Sequence, residues 1–339
     1  MLCVGGAGGA GGVGGVGASA GADPRGTIGI RLLEAPVSHR GDPRALSYIV
    51  DHLNPGTTIR RKVEISNTSR KLQHISLYPA AATIVRNSFH APAGRPQNEL
   101  VSWMSLDRDP VDLPPGRTAV AEVTIMVPLV ASRGERFGAV WAEVSTEPNA
   151  SHPVRVVNRV GIRVYLDVGP GGEPPSDFRI EKLTSLRTPE GSVRLEALAN
   201  NTGKRTLDMS GALSLEEGPG GLKAGPFPAD LGVTLLPGSV APVTVTMDGR
   251  IPDGPWKGRL TLMSGRVKRV VTAPLTFSAK GTGFSVEPDG EYLSLVGLVA
   301  GVVVPVAALG LLARRRRRVG SARHSPRHRG RRRIAAPTS

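Results

Sequence analysis

Eight side chains between Thr83 and Arg108 carry the most recognition chemistry in the sequence: Arg86, Asn87, Phe89, His90, Arg95, Gln97, Asn98 and Trp103. They mix planar, cationic and amide groups on a stretch that reads as a loop, the place where binding residues concentrate on a rigid scaffold. Trp103 serves equally well as a ligand platform or as a plug in the core. Catalysis would need a nucleophile with its base, a carboxylate pair or clustered metal ligands. His39, His52, His74, His90 and His152 stand isolated, with no HExxH and no His/Cys group at ligand spacing, and read as surface or turn residues. Asp107 and Asp109 flank Arg108 and precede Pro110, a pattern that reads as a solvated turn. No catalytic residue, metal ligand or cofactor is therefore expected, although carboxylates that converge in three dimensions could still hold Ca²⁺. Gly6 to Gly11 spells a dinucleotide glycine pattern and Gly17 to Gly21 a hydrolase elbow, but neither follows a strand or opens a helix.

The elements that must position such a loop are strands. Aromatic residues make up only 4% of the chain, while 43 glycines and 29 prolines imply many turns and short extended segments. Val63-Glu64-Ile65, Ala119 to Val127, Val154 to Leu166, Val193-Arg194-Leu195 and Val243-Thr244-Val245 alternate at period two or are rich in β-branched residues. The expected fold is an all-β ectodomain of two tandem Ig-like β-sandwich domains, 27–168 and 176–280, separated by the Pro/Gly linker 169–175. Two landmarks recur in order. An Asn-Thr turn follows an apolar strand at Asn67-Thr68 and Asn201-Thr202, and a Pro-Gly turn launches a later strand at Pro115-Gly116 and Pro237-Gly238. Asn suits a hairpin turn and Pro-Gly a type II turn. The first interval is the longer, and its extra length falls around the candidate loop.

The two ends set the expected topology. Residues 293–312 contain no charge and would span about 30 Å as a helix, the thickness of a bilayer core. A juxtamembrane linker, 281–292, precedes this single C-terminal transmembrane α-helix. Arg314, Arg315, Arg316, Arg317 and Arg318 form the stop-transfer signal, and a basic tail, 313–339, follows on the cytoplasmic side. That tail holds eleven arginines and no acid, which leaves only +4 of the net +15 for the rest of the chain. The basic character belongs to membrane lipids rather than to nucleic acid. Residues 1–22 read as an incomplete signal-peptide-like leader with cleavage candidates at Ala20 and Ala22, which puts the ectodomain outside the cell membrane.

Ser132 to Val144 (SRGERFGAVWAEV), with Val101-Ser102-Trp103 and Pro114-Pro115-Gly116 upstream, resembles the N-terminal module of the WxL-interacting proteins of Gram-positive bacteria. The abundance of Arg, Ala, Gly and Pro suggests a high-GC actinobacterial member. The resemblance implies a non-catalytic, membrane-anchored cell-surface protein. Its first domain would bind peptidoglycan or another wall polymer, through rings stacked on sugars and cations and amides bonded to hydroxyls and carboxylates. Its second domain would present or contact another cell-surface protein. The alternative is an extracytoplasmic chaperone or assembly factor that pairs a free sandwich edge with a strand of a secreted client.

Overall fold

Period-two alternation drives the chain into sheets. Within Thr58–Asn67, Val63 and Ile65 are fully buried while Arg60 and Lys62 face water. The protein is described by a computed structural model covering residues 28–146, 153–277 and 283–291. The leader with Ala20 and Ala22, the span 293–312, Arg314 to Arg318 and the tail lie outside the described residues. Among the described residues no helix is long and apolar enough to cross a membrane.

The first sandwich is built from β1 (Ile28–Leu32), β2 (Ile49–Leu53), β3 (Thr58–Asn67), β4 (Gln73–Ala81), β5 (Thr83–Val85) and β6 (Ser88–His90). It continues through β7 (Met104–Leu106), β8 (Val111–Leu113), β9 (Thr118–Met126), β10 (Gly134–Thr146) and β11 (Val156–Val168), with short helices α1 (Pro43–Ser47) and α2 (Glu99–Ser102). A four-stranded sheet, β1-β3-β9-β7, and a five-stranded sheet, β2-β11-β10-β4-β8, enclose a core around Ile65, Leu77, Ile125, Val140 and Leu166. β1 pairs antiparallel with β3 while β2 pairs parallel with β11, so the first stretch of chain is shared between both sheets.

The second sandwich runs through β12 (Phe178–Arg187), β13 (Val193–Asn201), β14 (Leu207–Asp208), β15 (Ser210–Glu216), β16 (Ala224–Pro228) and β17 (Thr234–Leu235). It ends with β18 (Val240–Met247), β19 (Trp256–Ser264), β20 (Val267–Leu275), β21 (Phe284–Val286) and β22 (Asp289–Glu291). Its sheets, β18-β13-β12-β21 and β16-β15-β19-β20-β22, enclose Phe178, Leu195, Leu213, Val243, Leu260 and Phe277. The chain is all-β, and both halves have the Ig-like sandwich architecture. Within the expected linker 281–292, residues 284–291 are not plain linker. β21 extends one sheet beside β12, and β22 extends the other beside β20.

The recurring Asn has a stronger role than closing a hairpin. β3 and β4 lie in different sheets, so the Asn67 turn is a sheet-to-sheet crossing. The buried Asn67 side chain donates through Nδ2 to the carbonyls of Lys71 and Leu113, both at 2.8 Å. Asn201 repeats this with Arg205 and Leu235, at 2.8 and 2.9 Å. The Pro-Gly turns lock on to the same residues, because Gly116 N donates to the Asn67 carbonyl and Gly238 N to that of Asn201. Each glycine has positive φ, as the third residue of a type II turn must. One buried amide thus ties three chain segments in each sandwich.

The stretch around Thr83 to Arg108 is a loop only over residues 91–98. β5 and β6 form a hairpin whose two-residue turn, Arg86-Asn87, has φ of 49° and 57°, the left-handed pair that a tight hairpin requires. This hairpin and α1 cover the outer face of the five-stranded sheet and build a second apolar layer of Ala45, Val50, Tyr78, Phe89, Trp141 and Tyr165. β11 is buried on both faces from Ile162 to Val168 and loses its alternation there.

Replacing Asn67 or Asn201 by alanine strands two buried carbonyls, and each change is expected to cost about 2 kcal/mol or more. Urea denaturation measures it. Asn200→Ala, which removes only an exposed contact to Glu181, should stay close to wild type.

Candidate functional site

The eight loop candidates do not form one groove. Phe89 is only 5% exposed and packs on Tyr165, with ring centroids 5.4 Å apart. Trp103 is 8% exposed beneath the Arg136 guanidinium, which resolves its two readings in favour of the core plug. Asn98 caps α2, accepting from Val101 N at 2.9 Å and donating to the Phe137 carbonyl. Arg95 stacks on Tyr78 at 4.2 Å and Gln97 bonds back to the Arg95 carbonyl. Arg86 and His90 are exposed on the hairpin, and the Asn87 carbonyl accepts from Thr234 N of the second sandwich at 2.7 Å. The set holds the sheet cover in place and docks it to the second half of the protein. Asp107 and Asp109 lie on an exposed bend, as the solvated-turn reading expects, and their carboxylates also fasten it to the two sheets, Asp109 accepting from Leu77 N of β4 and Asp107 from Glu122 N of β9.

What the fold does bring together is a charged junction between the sandwiches. Asp208, at the end of β14, accepts from Arg44 Nε at 2.7 Å, Tyr165 OH at 2.7 Å and Arg163 Nη1 at 3.2 Å, all three from the first sandwich. Thr234 Oγ1 of the second sandwich donates to it as well, at 2.9 Å. Beside it, Glu135 of β10 accepts from Thr206 N at 2.8 Å and Thr206 Oγ1 at 2.5 Å. The crossing segment after β11 is fastened too, since Glu173 meets His39 Nε2 at 2.7 Å and touches Arg205. His52 reaches Asp167 at 2.6 Å and the Gly171 carbonyl at 3.3 Å. Two of the five scattered histidines therefore sit in this network rather than on a free surface.

Burial shapes the electrostatics. It pushes the Tyr165 hydroxyl well above its usual range, aided by Asp208, so the phenol stays protonated and donates. It also raises the Glu135 carboxyl against the opposing pull of Thr206. Burial lowers the His39 imidazole, with Arg266 and Arg205 adding to the effect against Asp42. A neutral ring with its proton on Nε2 satisfies both neighbours, donating to Glu173 and accepting from Ser38 Oγ at 3.1 Å.

A second feature is the outer edge of β11. β10 and β11 pair over their full thirteen-residue length, but β2 covers only Val164–Val168 on the other side. Among the described residues no strand pairs with Val156, Val157 or Arg159 to Ile162 on that side. The hairpin also runs past its last pairing with β4, at Glu143, through Val144 and Ser145. Among the described residues the other terminal strands are short or carry proline, while β3 from Thr58 to Arg61 and β12 from Arg179 to Lys182 also lack a partner strand on their outer side. β1, β2, β7, β8, β21 and β22 have five residues or fewer, β16 contains Pro226 and Pro228, and β18 contains Pro242.

One signal for this site was present in the sequence: Asp42-Pro43 is a helix-start pattern, and it positions Arg44. Asp208, Thr206 and Glu135 carry no local signature, because the contacts by which they join the two sandwiches span 43 to 164 residues of chain.

No family model matches the sequence, and no curated protein resembles it. Weak similarity to solved structures exists. One is a chain of the CsuC–CsuE chaperone–tip adhesion subunit complex of Acinetobacter baumannii, at 12% identity over 66% of this chain and 94% of that one, with a TM-score of 0.35. Another is the Pseudomonas aeruginosa CupB2 chaperone, at 12% identity over 67% and 97%, TM-score 0.34. The E. coli chaperone DraB is similar at 11% identity over 71% and 95%, TM-score 0.34.

Asp208→Ala leaves three buried donors of the first sandwich without their acceptor and is expected to destabilise the protein by about 3–5 kcal/mol, as loss of one partner in a buried ion pair does; chemical denaturation reads this. The lowered His39 imidazole contributes stability that is complete above its unfolded value of about 6.5 and is lost as pH falls through the folded value. The raised Glu135 carboxyl contributes with the opposite slope. The stability difference between wild type and His39→Gln should therefore shrink as pH drops from 7 towards 5, and a difference independent of pH would refute the assignment.

Proposed function

We propose that this chain is a non-catalytic, extracytoplasmic client-holding protein that accepts an extended segment of another surface protein as an added strand beside β11. The observation that carries the proposal is the proline-free outer edge of β11, where among the described residues no strand pairs with Val156, Val157 or Arg159 to Ile162 and where valines are exposed. Main-chain hydrogen bonds along such an edge supply affinity, and alternate side chains supply selection. Val154, Val156 and Val157 are exposed there, at 68%, 59% and 48%, and offer apolar contact to the incoming segment. The junction at Asp208 supports the same reading, because it holds β11 rigidly at its far end through Tyr165 and Arg163. The apolar span 293–312 with its arginine stop would tether this edge to the outer face of the membrane.

The wall-polymer function implied by the resemblance to WxL-interacting proteins has less support. It calls for exposed rings, and Phe89 and Trp103 are both buried.

A photo-crosslinking residue at position 157 of the full-length chain, in the cells that make it, is expected to trap a stoichiometric secreted protein. The same probe at Val240 in the second sandwich should not. Val156→Lys with Val157→Lys, both solvent-exposed changes that oppose edge pairing, should abolish the product while the circular dichroism spectrum is unchanged. Recovery of wall fragments in equal amount from both positions would defeat the proposal.

A further inference from the structure

The buried asparagine repeats in the two sandwiches, and so do the bonds around it. Asn67 Oδ1 accepts from Ser69 N at 2.9 Å, and Asn201 Oδ1 accepts from Gly203 N at 3.0 Å. Asn67 N donates to the Arg117 carbonyl and Asn201 N to that of Ser239, both at 3.0 Å. Together with the Nδ2 bonds to the carbonyls of Lys71 and Arg205, these contacts set the two turns in register. Arg70 stands where Lys204 does, Lys71 where Arg205 does, Leu72 where Thr206 does, and Arg117 where Ser239 does.

In the second sandwich this turn is filled, and carboxylates from outside that sandwich fill it. Arg205 meets Glu173 of the crossing segment, while Thr206 N and Oγ1 donate to Glu135 of the first sandwich at 2.8 and 2.5 Å. Arg205 and Thr206 are buried by that contact, at 3% and 0% exposure. In the first sandwich the same turn is bare. Arg70, Lys71 and Arg117 are exposed, and Leu72 beside them is exposed by 51%. Among the described residues none of these three cationic groups has an ion pair or a side-chain hydrogen bond. One carboxylate borders them, Asp112 on the strand paired with β4, and His74 engages it at 2.5 Å. Lys71 and Arg117 are bonded through their carbonyls and amides to one asparagine, so their positive charges are held close together at no gain to the fold. Such a cluster raises the local potential and attracts an anionic partner, and guanidinium groups suit carboxylates in particular.

We propose that the Asn67 turn is a docking site for an acidic segment of another protein, which sets carboxylates on Arg70, Lys71 and Arg117 and an apolar side chain on Leu72. Within this chain the Asn201 turn receives Glu173 and Glu135 in the same way. The site is separate from the β11 edge and does not depend on it.

A photo-crosslinking residue at position 72 of the full-length chain reports on this turn alone and is blind to the arginine tail. With a fluorescent oligoglutamate peptide as probe, saturable labelling is expected at position 72 and none at position 222, a leucine of the second sandwich with 49% exposure. Arg70→Gln, Lys71→Gln and Arg117→Gln together should weaken binding by about tenfold, the worth of three solvent-exposed ion pairs. The melting temperature should not move, because the three groups have no partner to lose; a structural role would lower it. Lys182→Gln, Arg194→Gln and Arg259→Gln, which remove the same charge from exposed positions of the second sandwich, should leave labelling at position 72 unchanged. Equal labelling at both positions, unchanged affinity in the first triple variant, or an equal loss in the second would each overturn the proposal. So would displacement of the peptide by polyphosphate or by anionic lipid vesicles at a lower concentration of charge than by unlabelled oligoglutamate, since the turn would then belong to a phosphate-bearing surface.

Discussion

The structure depends on one carboxylate. Asp208 belongs to a two-residue strand that could not hold a position by itself, yet it accepts hydrogen bonds from a helix and a strand of the other sandwich and from Thr234 of its own. Taking these groups out of water is costly, and a buried ion network is therefore weak grounds for stability. Its value is geometric. Hydrogen bonds have fixed lengths and directions where apolar contacts do not, so the network admits one arrangement of the sandwiches where a greasy interface would admit several. Glu135 with Thr206, and Glu173 with His39, add fastenings in the same junction.

The same constraint explains the stretch around Thr83 to Arg108. A sandwich sheet ordinarily leaves its outer face to water, but here the β5–β6 hairpin and α1 cover the five-stranded sheet and bury Tyr165 at 1% exposure. That covering layer places the Tyr165 hydroxyl in a site of low dielectric, where its bond to Asp208 strengthens. It also brings Asn87 against Thr234, a main-chain link between the halves. Residues that carry recognition chemistry by type, Phe89 and Trp103 above all, are spent on packing.

Rigidity at one end of β11 contrasts with openness at the other. From Ile162 onward the strand is buried on both faces, whereas its first residues lie on a border with exposed valines. Proteins usually blunt such borders, and the terminal strands among the described residues are short or carry proline.

By itself the sequence determined the all-β class, the places of five strands and the Ig-like repetition, because these rest on local facts: alternation at period two, β-branched residues, and Pro-Gly turns that only one backbone geometry satisfies. It also marked Asn67 and Asn201 as equivalent, although not why. Their side chains bond to carbonyls up to 46 residues away, and no local pattern encodes such a partner. Tertiary structure alone decided that a candidate binding loop is a packed hairpin, that 284–291 completes the second sandwich, and that Arg44, Arg205 and Asp208 meet. Those outcomes turn on burial and on contacts between distant segments. A side chain's type states what it can bond to, and only the fold states what it will find there.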